Sequence, residues 1–187
     1  MAPFVVLDRQ HIGRASKPHD LGAYWDGLAE AVLVRRYLAV AEDLLRAAGC
    51  IVVPMSDGEY AERHARACAM RADVYVAGHV NAGFGSDGYA FYDGRSTAGR
   101  TLARAIAARL GVLPELTHAS AVACASTGAW VNPWYTIRGV YQGRPVGLCY
   151  EPCFLDSPAH RPLLTDEGLI RIGDALAHGI TDYLGVG

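Results

Sequence analysis

Short apolar runs alternate with amphipathic stretches along most of the 187-residue chain. The apolar runs have the length of buried strands and occupy residues 4–8, 50–54, 73–79, 88–93 and 145–151. The amphipathic stretches predict helices at about 28–48, within 56–72, over 97–111 and from about 165 to 185. Strands that alternate with helices are typical of an α/β fold. We therefore expect one domain, residues 1–187, with a single mostly parallel twisted sheet and helices on both of its faces.

The helix predicted over residues 28–48 has the clearest pattern. One face of it carries apolar residues, namely Val34, Tyr37, Leu38, Ala41, Leu44, Leu45 and Ala48. The other face is charged, and Gly49 follows at the position that glycine favours just past a helix end. Glu30 lies in line with the apolar face. A carboxylate that points toward a core is costly unless it is paired or binds a metal, although the N-terminal end of a helix also favours an acid.

Two segments do not have a regular pattern. Residues 9–27 are predicted to form a loop, and residues 112–144 a mixture of extended chain and loop. The second segment contains Trp130, Trp134 and Tyr135, whose rings could contact a sugar or a peptide or could fill a core.

Composition argues against several classes of protein. The formal net charge is −2, which does not favour nucleic acid as a partner. No run approaches the roughly 18 apolar residues of a membrane span, and no leader of the secretory type is recognisable. The odd number of cysteines, five, predicts reduced thiols and synthesis in the cytoplasm.

Three predicted strands end near side chains that could bind a metal or act in catalysis. The first ends near His11, the third at His79 and the last at Glu151. If these strands are parallel neighbours, the three side chains lie at one rim of the sheet, where open α/β sheets bind ligands. Each histidine alone is more often structural, but two imidazoles, the inward Glu30 and an open position form a ligand set of catalytic zinc.

The same residues, in order and with matching spacing, resemble those of the zinc-dependent N-acetylmuramoyl-L-alanine amidases of bacterial cell-wall enzymes and phage endolysins. The matching motifs are "DRQH" at 8–11, the helix from Glu30 to Gly49, "GHVNA" at 78–82 and the strand that ends at Glu151. The resemblance implies one Zn²⁺ held by His11, Glu30 and His79, with Glu151 as the catalytic carboxylate. The chain departs from the family at Gln10 and Ile12, which stand where glycines flank the first histidine, and at Ala77, Cys68 and residues 112–144.

The implied reaction is hydrolysis of the amide that joins N-acetylmuramic acid to L-alanine in peptidoglycan. Asn81 either orients His79, contacts substrate or only forms a turn. Asp8 either orients a ligating imidazole or simply ends its strand. Arg138 is a candidate partner for a peptide carboxylate.

We expect a monomeric phage or prophage endolysin that is made in the cytoplasm and acts on the wall after release. Two alternatives remain open on the residues alone. One is a zinc peptidase or deacetylase that acts on wall fragments with a similar ligand set. The other is a wall-binding module without catalysis, against which the presence of Glu151 argues.

Overall fold

The computed structural model describes residues 1–140 and 144–187. Its strands are β1 (Phe4–Arg9), β2 (Tyr24–Trp25), β3 (Leu28–Ala29), β4 (Ile51–Met55), β5 (Val74–Gly78), β6 (Gly88–Asp93), β7 (Ala119–Cys124) and β8 (Val146–Glu151). Its α-helices are α1 (Glu30–Ala47), α2 (Tyr60–Ala69), α3 (Thr97–Leu110), α4 (Val131–Tyr135) and α5 (Asp166–Leu184), and a 3-10 helix spans Pro158–Leu164.

The main sheet has six strands in the order β4-β1-β5-β8-β6-β7. The first four in this order run parallel to one another, whereas β6 is antiparallel to β8 and parallel to β7. Arg9 is in register with Gly78, and Gly78 with Tyr150. The carboxyl ends of β1, β5 and β8 therefore meet at one rim, as the sequence predicted.

Alternate residues of the strands pack against helices on opposite faces. Val5 and Leu7 are buried with residues of α1, α3 and α5 on one face. Val6 is buried with Ala67 of α2 and with Ile137, which follows α4, on the other face. The predicted mostly parallel sheet with helices on both faces is confirmed.

The ends of the helices follow local sequence rules. Leu28 and Ala29 pair with β2, so α1 begins two residues later than its periodicity predicted. Thr165 caps α5, because its hydroxyl accepts a hydrogen bond from the Gly168 N–H at 3.2 Å. Glu59 forms a reciprocal capping box with Glu62 at the start of α2.

The segment 112–144 is partly extended, as predicted, and also contains a short helix that its pattern did not predict. β7 pairs with β6 at the edge of the sheet, and α4 follows it. Residues 141–143 of this segment lie outside the described residues. Across the described residues, no helix has the length and apolar character needed to cross a bilayer. All five cysteines are free thiols.

Candidate metal centre

Three side chains from distant parts of the sequence meet at the rim formed by β1, β5 and β8. His11 Nε2 lies 3.2 Å from Glu30 Oε1, and His79 Nδ1 lies 2.9 Å from the same oxygen. The two imidazole nitrogens are 3.2 Å apart. The structure thus brings together the three residues that were predicted as ligands, and we name them the metal triad.

The end of β5 positions His79. Its backbone N–H continues the strand pairing by donating to the Tyr150 carbonyl at 2.9 Å. The hydroxyl of Tyr37 on α1 donates to the His79 carbonyl at 3.0 Å. Gly78 permits this approach, because a Cβ at that position would lie 2.7 Å from the Tyr37 hydroxyl oxygen. His79 is therefore fixed from both the sheet and α1.

His11 lies in the loop after β1 and has a left-handed backbone, with φ of 68°. For a residue other than glycine this conformation costs on the order of 1 kcal/mol or more, so its surroundings must hold it. The buried guanidinium of Arg63 donates to the carbonyls of Arg9, at 3.3 Å, and of Ile12. Its Nε donates to the Gly58 carbonyl at 2.8 Å. Arg63 therefore ties the loop that carries His11 to α2.

The carboxylate of Asp8 is occupied by partners other than the triad. Arg63 donates to Asp8 Oδ1 at 2.5 Å, and the Tyr75 hydroxyl and the Gln10 amide donate to Oδ2. The Asp8 side chain is fully buried. Of the two roles left open for Asp8, the geometry favours the structural one at the strand end over orientation of an imidazole.

Asp20, and not Asp8, contacts the imidazole of His11. Its Oδ1 lies 3.1 Å from His11 Nδ1 and also accepts from the Gly22 N–H at 3.0 Å. Because a carboxylate only accepts, a neutral His11 carries its proton on Nδ1 and directs the Nε2 lone pair into the metal triad. Sequence reasoning missed this contact because residues 9–27 have no periodicity that would orient their side chains. The one available signal was an acid in the same loop as a candidate ligand.

Glu30 is the first residue of α1, and its carboxylate points into the metal triad. The backbone N–H groups of Val80 and Ala23 donate to Oε1 at 3.0 Å and to Oε2 at 2.8 Å. Burial alone would raise the pKa of Glu30, but the hydrogen bonds with His11 and His79 outweigh burial and lower that pKa. Glu30 is therefore ionised at neutral pH, which is the form that binds metal.

The metal triad has the geometry that zinc requires. Ligand atoms at about 2.0–2.1 Å from a tetrahedral zinc ion are about 3.3 Å from one another, close to the 2.9–3.2 Å separations found here. His79 Nε2 is buried and has no hydrogen-bond partner among the described residues. That atom would carry the proton if Nδ1 bound a metal. Donor types and separations thus fit one zinc ion.

Glu151, the last residue of β8, lines the same cleft as the metal triad. Burial raises the pKa of Glu151 to about 7, with the His79 imidazole opposing this shift and the Glu30 carboxylate adding to it. A carboxyl group whose pKa lies near neutrality can both accept and return a proton at physiological pH.

The cleft has a volume of about 510 Å³. Asn81 lines it, and its side-chain oxygen accepts from the Ala82 N–H at 2.8 Å, so the residue shapes the turn after β5 within the site. Arg138 is exposed, and its guanidinium lies 4.9 Å from the ring of Tyr135, which lines the cleft. The structure therefore gathers Asn81 and Glu151 around the metal triad and leaves Arg138 just beyond the cleft wall.

Comparison with known proteins shows which fold this is. No protein-family model and no curated protein matches the sequence. Cwp6 from Clostridium difficile has a similar solved structure, with a TM-score of 0.80 and 21% identity over 98% of this chain and 30% of that one. N-acetylmuramoyl-L-alanine amidase AmiC2 of Nostoc punctiforme gives a TM-score of 0.78 and 20% identity over 98% of this chain and 97% of that one. The chain has the fold of the N-acetylmuramoyl-L-alanine amidases.

The likeness extends over whole amidase domains. The catalytic domain of CwlV, an N-acetylmuramoyl-L-alanine amidase from Bacillus (Paenibacillus) polymyxa var. colistinus, gives a TM-score of 0.76 and 21% identity over 99% of both chains. At this level of identity the comparison establishes the amidase fold alone. The chemistry must be inferred from the side chains at the rim of the sheet.

Proposed function

We propose that this protein is a zinc-dependent N-acetylmuramoyl-L-alanine amidase that cleaves peptidoglycan between N-acetylmuramic acid and L-alanine. One observation carries the proposal: His11 Nε2, Glu30 Oε1 and His79 Nδ1 lie within 3.2 Å of one another, in an amidase fold and in the cleft that contains Glu151. Fold alone would not support a function, because one fold hosts many chemistries. The ligand set and the nearby carboxylate make the argument specific.

The residues divide the chemistry of amide hydrolysis among them. When bound, zinc would supply Lewis acidity, which acidifies water and polarises a carbonyl. Glu151 accepts a proton from the attacking water and returns it to the nitrogen of the departing L-alanine. Its raised pKa, about 7, suits both transfers. The products are a lactyl carboxylate on the glycan and a free amino group on the peptide.

Asp20 supports this chemistry by fixing the ring of His11. The contact between Asp20 Oδ1 and His11 Nδ1, at 3.1 Å, sets both the orientation and the tautomer of the imidazole. Asp20 also lines the cleft. It is a positioning residue, because it acts through His11.

The proposal is tested with purified sacculi and the zinc-loaded protein. The expected products are stem peptides with a free L-alanine amino terminus and glycan strands of unchanged length, identified by mass spectrometry. Release of acetate would indicate a deacetylase, and shortened peptides would indicate a peptidase. Either result would overturn the proposal.

The matched control is Glu151→Gln, which keeps the size of the side chain and removes its base. We expect this variant to retain zinc and to lose hydrolysis. If it clears sacculi as well as the wild type does, or if neither clears them, Glu151 does not have the proposed role. The second outcome is also the one expected of a wall-binding module without catalysis.

The cellular setting remains a prediction from the sequence. We propose a phage or prophage endolysin that acts as a monomer, and sedimentation together with lysis from inside the host would test both points.

A further inference from the structure

Two exposed aromatic rings touch each other beside the cleft. Trp25, in β2, and Phe84, in the loop after β5, have ring centroids 5.6 Å apart in an edge-to-face arrangement. They remain 45% and 66% exposed, respectively. This is a favoured geometry for two rings, but here most of the Phe84 ring and about half of the Trp25 ring face solvent. We name these two residues the aromatic pair.

The loop after β5 is built to keep Phe84 outward. Phe84 has a left-handed backbone, with φ of 59°. Both oxygens of Asp156 accept backbone hydrogen bonds, from Gly83 at 2.8 Å and from Phe84 at 2.9 Å. The next residue, Gly85, abuts the Phe154 ring so closely that a Cβ would lie 2.3 Å from it. The loop is thus braced in a costly conformation that presents an apolar ring to water.

The hairpin that carries Trp25 is also held by a residue of the segment that follows Glu151. Asp26 also has a positive φ, 48°, and forms an ion pair with Arg161 of the 3-10 helix. Asp156 and Arg161 both belong to the segment that follows Glu151. The supports of the aromatic pair therefore come from the chain that continues directly from the proposed catalytic carboxylate.

The aromatic pair continues the wall of the cleft. Ala23 and Ala82 line the cleft, and each lies two residues before one member of the pair. The Ala23 N–H also donates to Glu30, so the hairpin is bonded directly to the metal triad. Trp25 and Phe84 therefore follow closely on two residues of the cleft wall.

The two ends of the cleft differ in chemistry. Lys17, which forms no ion pair among the described residues, lies in a loop that is held to α2 by the bond from the Ser16 N–H to Glu59 at 2.8 Å. The aromatic pair is instead supported by the segment around the 3-10 helix, whose Leu163 packs with α1 and α5 on the other face of the sheet. The ammonium group of Lys17 suits a carboxylate of a peptide. An aromatic end suits the apolar C–H face of a sugar ring.

We propose that the aromatic pair is a binding platform for the glycan strand, and that the peptide lies toward Lys17. This inference rests on the proposed function and adds to it the side from which each half of the substrate enters. The flat C–H faces of successive pyranose rings would stack on Trp25 and Phe84, as flat ligands stack on rigid rings that lose little entropy on binding.

The test uses peptide-free glycan oligosaccharides of at least four sugars and the Glu151→Gln protein, so that binding is measured without turnover. Isothermal titration calorimetry should give an affinity that falls about tenfold on adding Trp25→Ala or Phe84→Ala, the loss expected for one aromatic contact. Tyr24→Ala is the matched control, because Tyr24 is 64% exposed in the same strand but is not part of the pair. It should change the affinity less than twofold.

Conservative variants separate the loss of stacking from damage to the fold. Trp25→Phe and Phe84→Tyr keep a ring and should keep the affinity within about threefold, with unchanged thermal unfolding. Equal binding by all variants would overturn the platform. So would a loss confined to stem-peptide binding, or a dimer in sedimentation that Trp25→Ala dissociates. Hydrolysis of sacculi by the wild type is measured separately, so cleavage without glycan binding at the pair refutes this inference and leaves the proposed function intact.

Discussion

Replacing Arg63 by methionine should loosen the metal centre from a distance. Arg63 is fully buried, and its guanidinium bonds Asp8 at 2.5 Å, the Gly58 carbonyl at 2.8 Å and the Ile12 carbonyl. Methionine keeps an apolar stem of similar length but removes every one of these donors. The Asp8 carboxylate then stays buried without its cation, and the loop that carries His11 loses its tie to α2.

The expected loss of stability is large. Breaking a buried ion pair by removing one partner costs about 3–5 kcal/mol, against about 5–15 kcal/mol for the whole unfolding free energy of a domain. With a urea m-value of about 2 kcal/mol/M, the midpoint of unfolding should fall by about 2 M. Unfolding is followed by circular dichroism in the presence of a chelator, so that metal binding does not contribute to the stability.

A second substitution separates stability from metal binding. Adding Asp8→Asn to Arg63→Met removes the uncompensated charge while Tyr75 still donates to the retained side-chain oxygen, so part of the lost stability should return. Zinc affinity should stay low in both variants, because the loop after β1 remains untied. Arg109→Met is the control. Arg109 forms an exposed ion pair with Asp182, so this substitution should leave the midpoint of unfolding almost unchanged.

Two results would refute this reasoning. One is an unfolding midpoint for Arg63→Met within error of the wild type. The other is a double variant as unstable as the sum of Asp8→Asn and Arg63→Met measured singly, which would mean that the two charges do not interact. The first result would also remove the argument that Arg63 sustains the left-handed backbone of His11, because that argument depends on its bonds to the backbone carbonyls.

Three further predictions concern the site itself. His79→Ala should bind no zinc in elemental analysis, and an unchanged zinc content would exclude His79 as a ligand. Asp20→Asn should weaken zinc binding about 10- to 100-fold in a chelator competition, because an uncharged amide oxygen accepts the His11 Nδ1 proton more weakly than a carboxylate does. A matched Asp182→Asn change, in an exposed ion pair with Arg109, should leave zinc affinity unaltered. The pKa of Glu151 is raised to about 7, and its carboxylate is the form that accepts the proton, so kcat/KM should fall as the pH drops through that value. A rate that stays constant well below that pH would contradict the assignment of Glu151 as the base.

The elements that form the rim were predictable because their signals are local. A run of apolar residues marks each buried strand, and parallel strands necessarily bring their carboxyl ends together. That argument places His11, His79 and Glu151 near one another without coordinates. Glu30 was predictable for a different reason, since its place on the apolar face of α1 directs it inward.

The residues that were missed depend on contacts that no periodicity encodes. Asp20 reaches His11 within a loop, and its side chain is oriented by the fold of residues 9–27 as a whole. β7 consists of small residues at a sheet edge and is only partly buried, so it lacks the apolar run that identified the other strands. The reversed direction of β6 also follows from pairing with β8, which the pattern within β6 does not determine.

Two glycines show why the support of the metal triad is invisible to sequence patterns. Gly22 has φ of 68°, and a Cβ there would lie 2.4 Å from Glu30 Oε2, so any other residue would displace the carboxylate from the triad. A Cβ at Gly78 would likewise lie 2.7 Å from the Tyr37 hydroxyl oxygen, and that hydroxyl donates to the His79 carbonyl. In the sequence one glycine marks a turn and the other ends a strand, and both are ordinary there. Their requirement comes from the close approach of α1 to the rim, because the helix that supplies the carboxylate must pack directly against the loops that supply the imidazoles.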